Sequence, residues 1–111
     1  PAENPVTLNR NDAGGERGVW TQEEIFGKWR VKIFEGRYNI RFKFIEPVET
    51  GGTIYLETNS VIIQDENHNL PVDIIELRDV YIPAMESDMI PYYMTRNKRI
   101  FPLWLEFEKI L

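Results

Sequence analysis

His68 is the chain's single histidine, and no Gly-x-Ser-x-Gly elbow supplies a nucleophile for it to activate. Ser60 and Ser87 stand in no recognisable nucleophile context either, so His68 reads as a loop histidine. The carboxylate pairs Glu23/Glu24, Asp65/Glu66 and Glu106/Glu108 are of the type that performs acid–base work, but nothing in their spacing separates catalysis from solubility. Asp65-x-Asn67-x-Asn69 opens like a calcium loop with oxygen ligands at alternate positions. Leu70 and Pro71 then stand where the turn glycine belongs, so no metal site is expected. Gly14-Gly15 would cradle a phosphate only if a lysine and a Ser/Thr followed, and Glu16 and Arg17 follow instead.

Aromatic residues are the other source of chemistry. Trp20, Trp29, Trp104, Tyr55, Tyr81, Tyr92 and Tyr93 are enough to build a platform on which sugar rings stack. Trp29 begins the apolar face of a strand and belongs to the core. Trp20, beside an Asn/Asp/Gly loop, and Tyr55, out of phase with Ile54 and Leu56, are the candidates for exposed contacts.

The elements that would position them are almost all strands. From Gly27 to Phe44, Trp29, Val31 and Ile33 alternate with Arg30 and Lys32; after Glu35-Gly36, Tyr38, Ile40, Phe42 and Phe44 alternate with Asn39, Arg41 and Lys43. A period of two sends successive side chains to opposite faces, so the stretch is expected to form a hairpin with one apolar face. Arg30, Lys32, Arg41 and Lys43 would share its wet face, which in an antiparallel sheet is an ordinary solvated surface. Val6–Leu8, Thr53–Thr58, Val61–Gln64, Ile74–Leu77, Val80–Ile82, Met89–Thr95 and Leu103–Phe107 are further strand candidates. Arg78-Asp79 and Arg96-Asn97-Lys98 read as turns, Pro83–Asp88 as a loop, and Pro91 directs its strand to an edge or a bulge. Thr21 and Glu24 have capping-box spacing and Gly27 stands where a helix would stop, which predicts a short helix over Gln22–Phe26. Eight or nine short strands at about ten-residue spacing predict an all-β antiparallel sandwich or barrel, of which the sandwich is preferred, with at most one short helix, folded as a single domain over 4–110.

Composition fits one core: 42% of the 111 residues are hydrophobic and 13% aromatic. Thirteen basic against 18 acidic residues, a net charge of -5, disfavours nonspecific attraction to nucleic acid or anionic membranes, so neither is expected as a partner. Without cysteine there is no disulfide and no thiolate chemistry. No apolar run approaches the ~18 residues of a membrane span. The chain opens abruptly at Pro1-Ala2-Glu3 without a signal segment, which reads as a trimmed or C-terminal piece of something longer.

Three segments carry a family resemblance that covers nearly the whole chain: NPVTLNRNDAGGERGVWTQEEIFGKW (Asn4–Trp29), the block from Val31 through RYNIRFKFIEPVETGGTIYLET to Thr58, and KRIFPLWLEFEK near the end. Together they resemble the C-terminal region of arylsulfatases of the polysaccharide-degrading bacterial type. The strand pattern also looks like that of galactose-binding-type jelly rolls, a likeness of fold alone. In sulfatases the chemistry lies in an N-terminal domain, where the Cys or Ser of a C/S-x-P-x-R motif becomes formylglycine beside calcium. Here no proline is followed two residues later by arginine, so no catalytic residue and no cofactor carry over.

The resemblance implies a non-catalytic accessory domain that packs on the catalytic sulfatase domain of the same chain. It implies a periplasmic or extracellular setting and a parent enzyme that uses calcium. Within it, the Asn9–Trp20 segment is the candidate recognition loop for a sulfated carbohydrate: Arg10 would meet a sulfate or uronate, Trp20 would stack on a sugar, and Asn11 and Asp12 lie between them. The alternative is a free-standing carbohydrate-binding module, and a small stand-alone enzyme ranks last.

Overall fold

The computed structural model describes residues 5–8, 19–25, 28–49, 51–58, 62–65, 72–96 and 98–111. Arg10, Asn11, Asp12, Gly14-Gly15 and His68 lie outside them. Ten strands form among the described residues: β1 (Val6–Leu8), β2 (Val19–Ile25), β3 (Lys28–Ile33), β4 (Gly36–Val48), β5 (Thr53–Glu57), β6 (Ile62–Asp65), β7 (Val72–Ile82), β8 (Met85–Thr95), β9 (Lys98–Ile100) and β10 (Trp104–Ile110). One sheet runs β1-β10-β4-β7; the other runs β2-β3-β8-β5-β6, with β9 paired to β8. All pairings are antiparallel. Two packed antiparallel sheets make this an all-β sandwich, the preferred one of the two architectures that the strand spacing allows.

The alternation in the Gly27–Phe44 stretch is correct and its pairing is not. Trp29, Val31, Ile33, Tyr38, Ile40, Phe42 and Phe44 are all buried. Yet β3 pairs with β2 and β8, while β4 pairs with β10 and β7. Phe34 and Glu35 therefore carry the chain from one sheet to the other instead of turning a hairpin, and the Tyr38 hydroxyl donates to the Phe34 carbonyl at 2.6 Å to hold the crossing. The wet faces consequently diverge: Arg30 and Lys32 belong to one sheet, Arg41 and Lys43 to the other.

Other expectations shift for the same reason, that ladder pairing outweighs local signals. The helix predicted over Gln22–Phe26 is absent: residues 22–25 lie in β2, which pairs along β3 with a register shift between Thr21 and Glu23. A helix of one or two turns is marginal alone, whereas the open edge of β3 offers a full ladder. The turn at Arg78-Asp79 is instead a bulge inside the continuous β7, opposite a register shift between Tyr38 and Ile40. Asp79 has φ 54°, its N–H donates to the Asn39 side-chain oxygen at 3.0 Å, and its carboxylate accepts from Arg37 at 2.6 Å. Most of the predicted Pro83–Asp88 loop is strand, because residues 85–88 pair with β3. Pro91 stands in the interior of its sheet, where β3 has ended after Met89 and β9 begins at Tyr93, so its missing N–H interrupts neither pairing.

The core joins both sheets. Phe44 of one meets Tyr93 of the other edge-to-face at 6.3 Å between ring centroids, and within the first sheet Tyr38 of β4 meets Phe107 of β10 at 6.0 Å. Gly51 (φ 84°) and Gly52 close the approach to β5. The Gly52 N–H donates to the Tyr93 hydroxyl at 2.8 Å, and that hydroxyl in turn donates to the Glu49 carbonyl. A Cβ on Gly52 would fall 2.4 Å from the Tyr93 ring and 2.6 Å from the Met94 carbonyl oxygen. Gly52→Ala is therefore expected to destabilise by about 1–3 kcal/mol, lowering the melting temperature by at least about 4 °C in calorimetry.

Candidate functional site

The outer face of the β1-β10-β4-β7 sheet carries charge that is already spent on itself. Arg41 stands opposite Glu106 on one neighbouring strand and Glu76 on the other, and its guanidinium reaches Glu76 at 2.7 Å, Glu106 at 3.0 Å and Glu108 at 3.3 Å. Partial burial works against its charge, but Glu108, Glu76 and Glu106 outweigh this and its pKa is raised. Glu108 also accepts from the Asn39 amide at 3.0 Å, and these bonds, Asn39 first and then Arg41, hold its carboxyl below the usual range. Lys43 pairs with Asp73, whose carboxyl is likewise lowered, chiefly by that hydrogen bond. The carboxylates that sequence spacing left ambiguous, Glu106 and Glu108, here anchor a cross-strand cage.

The opposite sheet bears an aromatic stack. Tyr55 lies on Tyr92 with centroids 4.9 Å apart and planes 18° from parallel, and the Arg99 guanidinium sits 4.7 Å from the Tyr92 ring centre. β5 and β9 flank β8 on its two edges, so Tyr92 is held between Tyr55 and Arg99. Its hydroxyl donates to Glu57 at 2.8 Å. Burial first, then the Glu57 contact, pushes its pKa up to about 12. Of the two predicted contact residues, Tyr55 joins this stack and Trp20 lies in β2 opposite Lys32, while Trp29 is core at 2% exposure, as its place on the apolar face of its strand indicates.

Arg99 connects the stack to a groove of about 500 Å³ between residues 44–48 of β4 and residues 98–101. Two features of the chain open it. Lys43 pairs with Ile74 and Val48 with Val72, so residues 44–47 stand against Asp73 alone and bow out of the ladder. Across from them, β9 returns from β8 through a two-residue connection in which Arg96 has φ 49°. Lys98 and Arg99 supply positive charge, Glu46 one carboxylate, and Ile45 and Phe101 exposed apolar surface at 78% and 38%. Its size is that of a ligand pocket. Strand periodicity gives no sign of it, and its one trace in the sequence is the basic doublet Lys98-Arg99 followed by Phe101-Pro102.

Among the described residues, no group of three or more His, Cys, Asp or Glu could hold a metal ion. No described helix is long and apolar enough to cross a membrane. No protein-family model, curated protein or solved structure matches the chain.

Two measurements follow from this geometry. Arg41→Ala leaves three carboxylates facing one another and should cost about 1–3 kcal/mol at pH 7. The lowered pKa of Glu108 means that its share of stability is present above the ordinary carboxyl range and fades as pH falls through it, so the deficit should shrink in urea unfolding at acid pH. An equal deficit at both pH values contradicts the cage. For Tyr92, a raised pKa in the folded state gives stability that is intact below pH about 10 and lost toward about 12. Tyr92→Phe should show a shallower alkaline decline than the unaltered chain, and a decline of unchanged steepness contradicts the assignment.

Proposed function

We propose that this chain is a non-catalytic C-terminal accessory domain of a sulfatase, packed on the catalytic domain of the same polypeptide and assisting recognition of a sulfated glycan. The reading rests on the resemblance carried by Asn4–Trp29, Val31–Thr58 and the closing KRIFPLWLEFEK segment. It places the parent enzyme, with its calcium, in the periplasm or outside the cell.

One observation supports it most: exposed apolar side chains gather at one end of the sandwich. Ile45 (78% exposed) and Phe101 line the same groove, the Leu103 N–H donates to the Lys43 carbonyl at 2.6 Å, and Ile74 pairs with Lys43. An apolar group of this kind rimmed by charge is what a domain presents to a neighbour. Phe34, Tyr81 and Leu111 are also exposed, at the other end of β4. There the Lys32 ammonium lies 5.8 Å from the Phe34 ring centre, and Arg37, opposite Tyr81, is paired with Asp79.

The alternative of a free-standing carbohydrate-binding module draws on the half-buried Tyr55. It is the weaker reading, since both faces of the neighbouring Tyr92 are already covered.

The test is co-elution of this domain with the separately expressed catalytic domain, beside calorimetry of the domain alone against sulfated and unsulfated polysaccharides. Co-elution weakened by Ile45→Ser and Phe101→Ser is the expected result. Glycan binding by the isolated domain without any co-elution would favour the free-standing module, and binding lost in Arg10→Ala and Trp20→Ala would place recognition in the Asn9–Trp20 loop.

A further inference from the structure

Unpaired backbone and unpaired positive charge meet in the groove beside β9. β9 gives one edge to β8, and among the described strands none pairs with its other edge. On the facing wall, residues 44–47 have left the ladder with β7. Both walls thus present main-chain N–H and C=O groups without ladder partners among the described residues, which is the template an added strand uses. The side chains select what can be added. Lys98 and Arg99 outnumber Glu46 along the groove although acidic residues outnumber basic ones in the whole chain, 18 to 13. Arg30, Arg37, Arg41, Lys43 and Arg78 are each engaged with carboxylates of neighbouring residues, whereas no described carboxylate pairs with Lys98 or Arg99. Arg99 is already held against the Tyr92 ring, so it loses less freedom when an anion arrives.

We propose that this groove takes an extended acidic peptide segment, which adds as a strand along the free edge of β9. Two neighbouring carboxylates, on opposite faces of the added strand, meet Lys98 and Arg99, whose side chains alternate across β9, and its apolar side chains rest on Ile45 and Phe101. A sulfated or uronate sugar would satisfy the two cations and leave the row of backbone groups unpaired, so the peptide fits more of the groove. The inference goes beyond the accessory-domain reading and assigns the segment to a partner protein, selected by its negative charge.

The test is fluorescence anisotropy with a labelled Glu/Val peptide that repeats Glu-Glu-Val-Val, so that carboxylates stand on both faces, its Lys/Val counterpart, and the same Glu/Val peptide N-methylated at alternate residues to remove ladder donors. The Glu/Val peptide should bind saturably and the Lys/Val peptide should not. Lys98→Ala and Arg99→Ala should each weaken binding about two- to fivefold. N-methylation in the phase that faces β9 should abolish it. Absence of saturable binding overturns the proposal, as does binding indifferent to both variants or to N-methylation in either phase. Tighter binding of a sulfated oligosaccharide, lost with the same variants, overturns it in favour of a sugar site. Should Arg99→Ala disturb folding through Tyr92, Lys98→Ala and the N-methylated peptides on the unaltered protein still decide.

Discussion

Trp29, Val31 and Ile33 contribute to one sheet, and Tyr38, Ile40, Phe42 and Phe44 to the other, although only four residues separate the two runs in sequence. One short crossing thus commits both halves of the core, and every other strand joins a sheet that one of these two runs begins. The period of two requires that each run keep its apolar face inward, because a slip of one residue in either would turn all of its large side chains to water. Burying each such side chain contributes about 1.5–3 kcal/mol, so the register of β3 and β4 is set by many such contributions together. The Tyr38–Phe34 hydrogen bond and the Phe44–Tyr93 ring contact fasten the crossing at one end and the two sheets at the other.

Because the faces are fixed in this way, the fate of the charges is fixed too. Arg41 and Lys43 project from the outer side of β4, where the neighbouring strands set Glu106, Glu76 and Asp73 against them. Such pairs are worth little singly at a surface, and the Arg41 cage gains from three carboxylates converging on one guanidinium. β4 loses this order beyond Lys43. Pro47 cannot donate to a ladder, and residues 44–47 bow away from β7, creating the groove and exposing Ile45. The break in the ladder and the accessible surface thus share one cause.

Inward and outward positions were legible in the sequence because periodicity is a local property: Trp29 to Phe44, Ile54 with Leu56, and Leu105 with Phe107 are buried as their alternation indicates. Partnership was not legible. Glu35-Gly36 looks like a hairpin turn, Arg78-Asp79 like another, and Thr21 with Glu24 like a helix cap, yet each was decided by which strand lay alongside. Asp79 needs Arg37 and Asn39, remote in sequence, to become a bulge rather than a turn. The groove escaped for the same reason, since its two walls lie about fifty residues apart. Of the site residues inferred by resemblance, Trp20 lies on an edge strand, and Arg10, Asn11 and Asp12 fall outside the described residues.

On the accessory-domain proposal, the end of the sandwich formed by residues 43–48 and 98–103 is the working surface, and the charged face around Arg41 is self-satisfied. Amide hydrogen exchange on the domain, alone and joined to the catalytic domain proposed for it, tests this most directly. Slowed exchange concentrated in residues 43–48 and 98–103 is the predicted result. Protection that falls instead across β7 and β10, with those two segments unchanged, would contradict it.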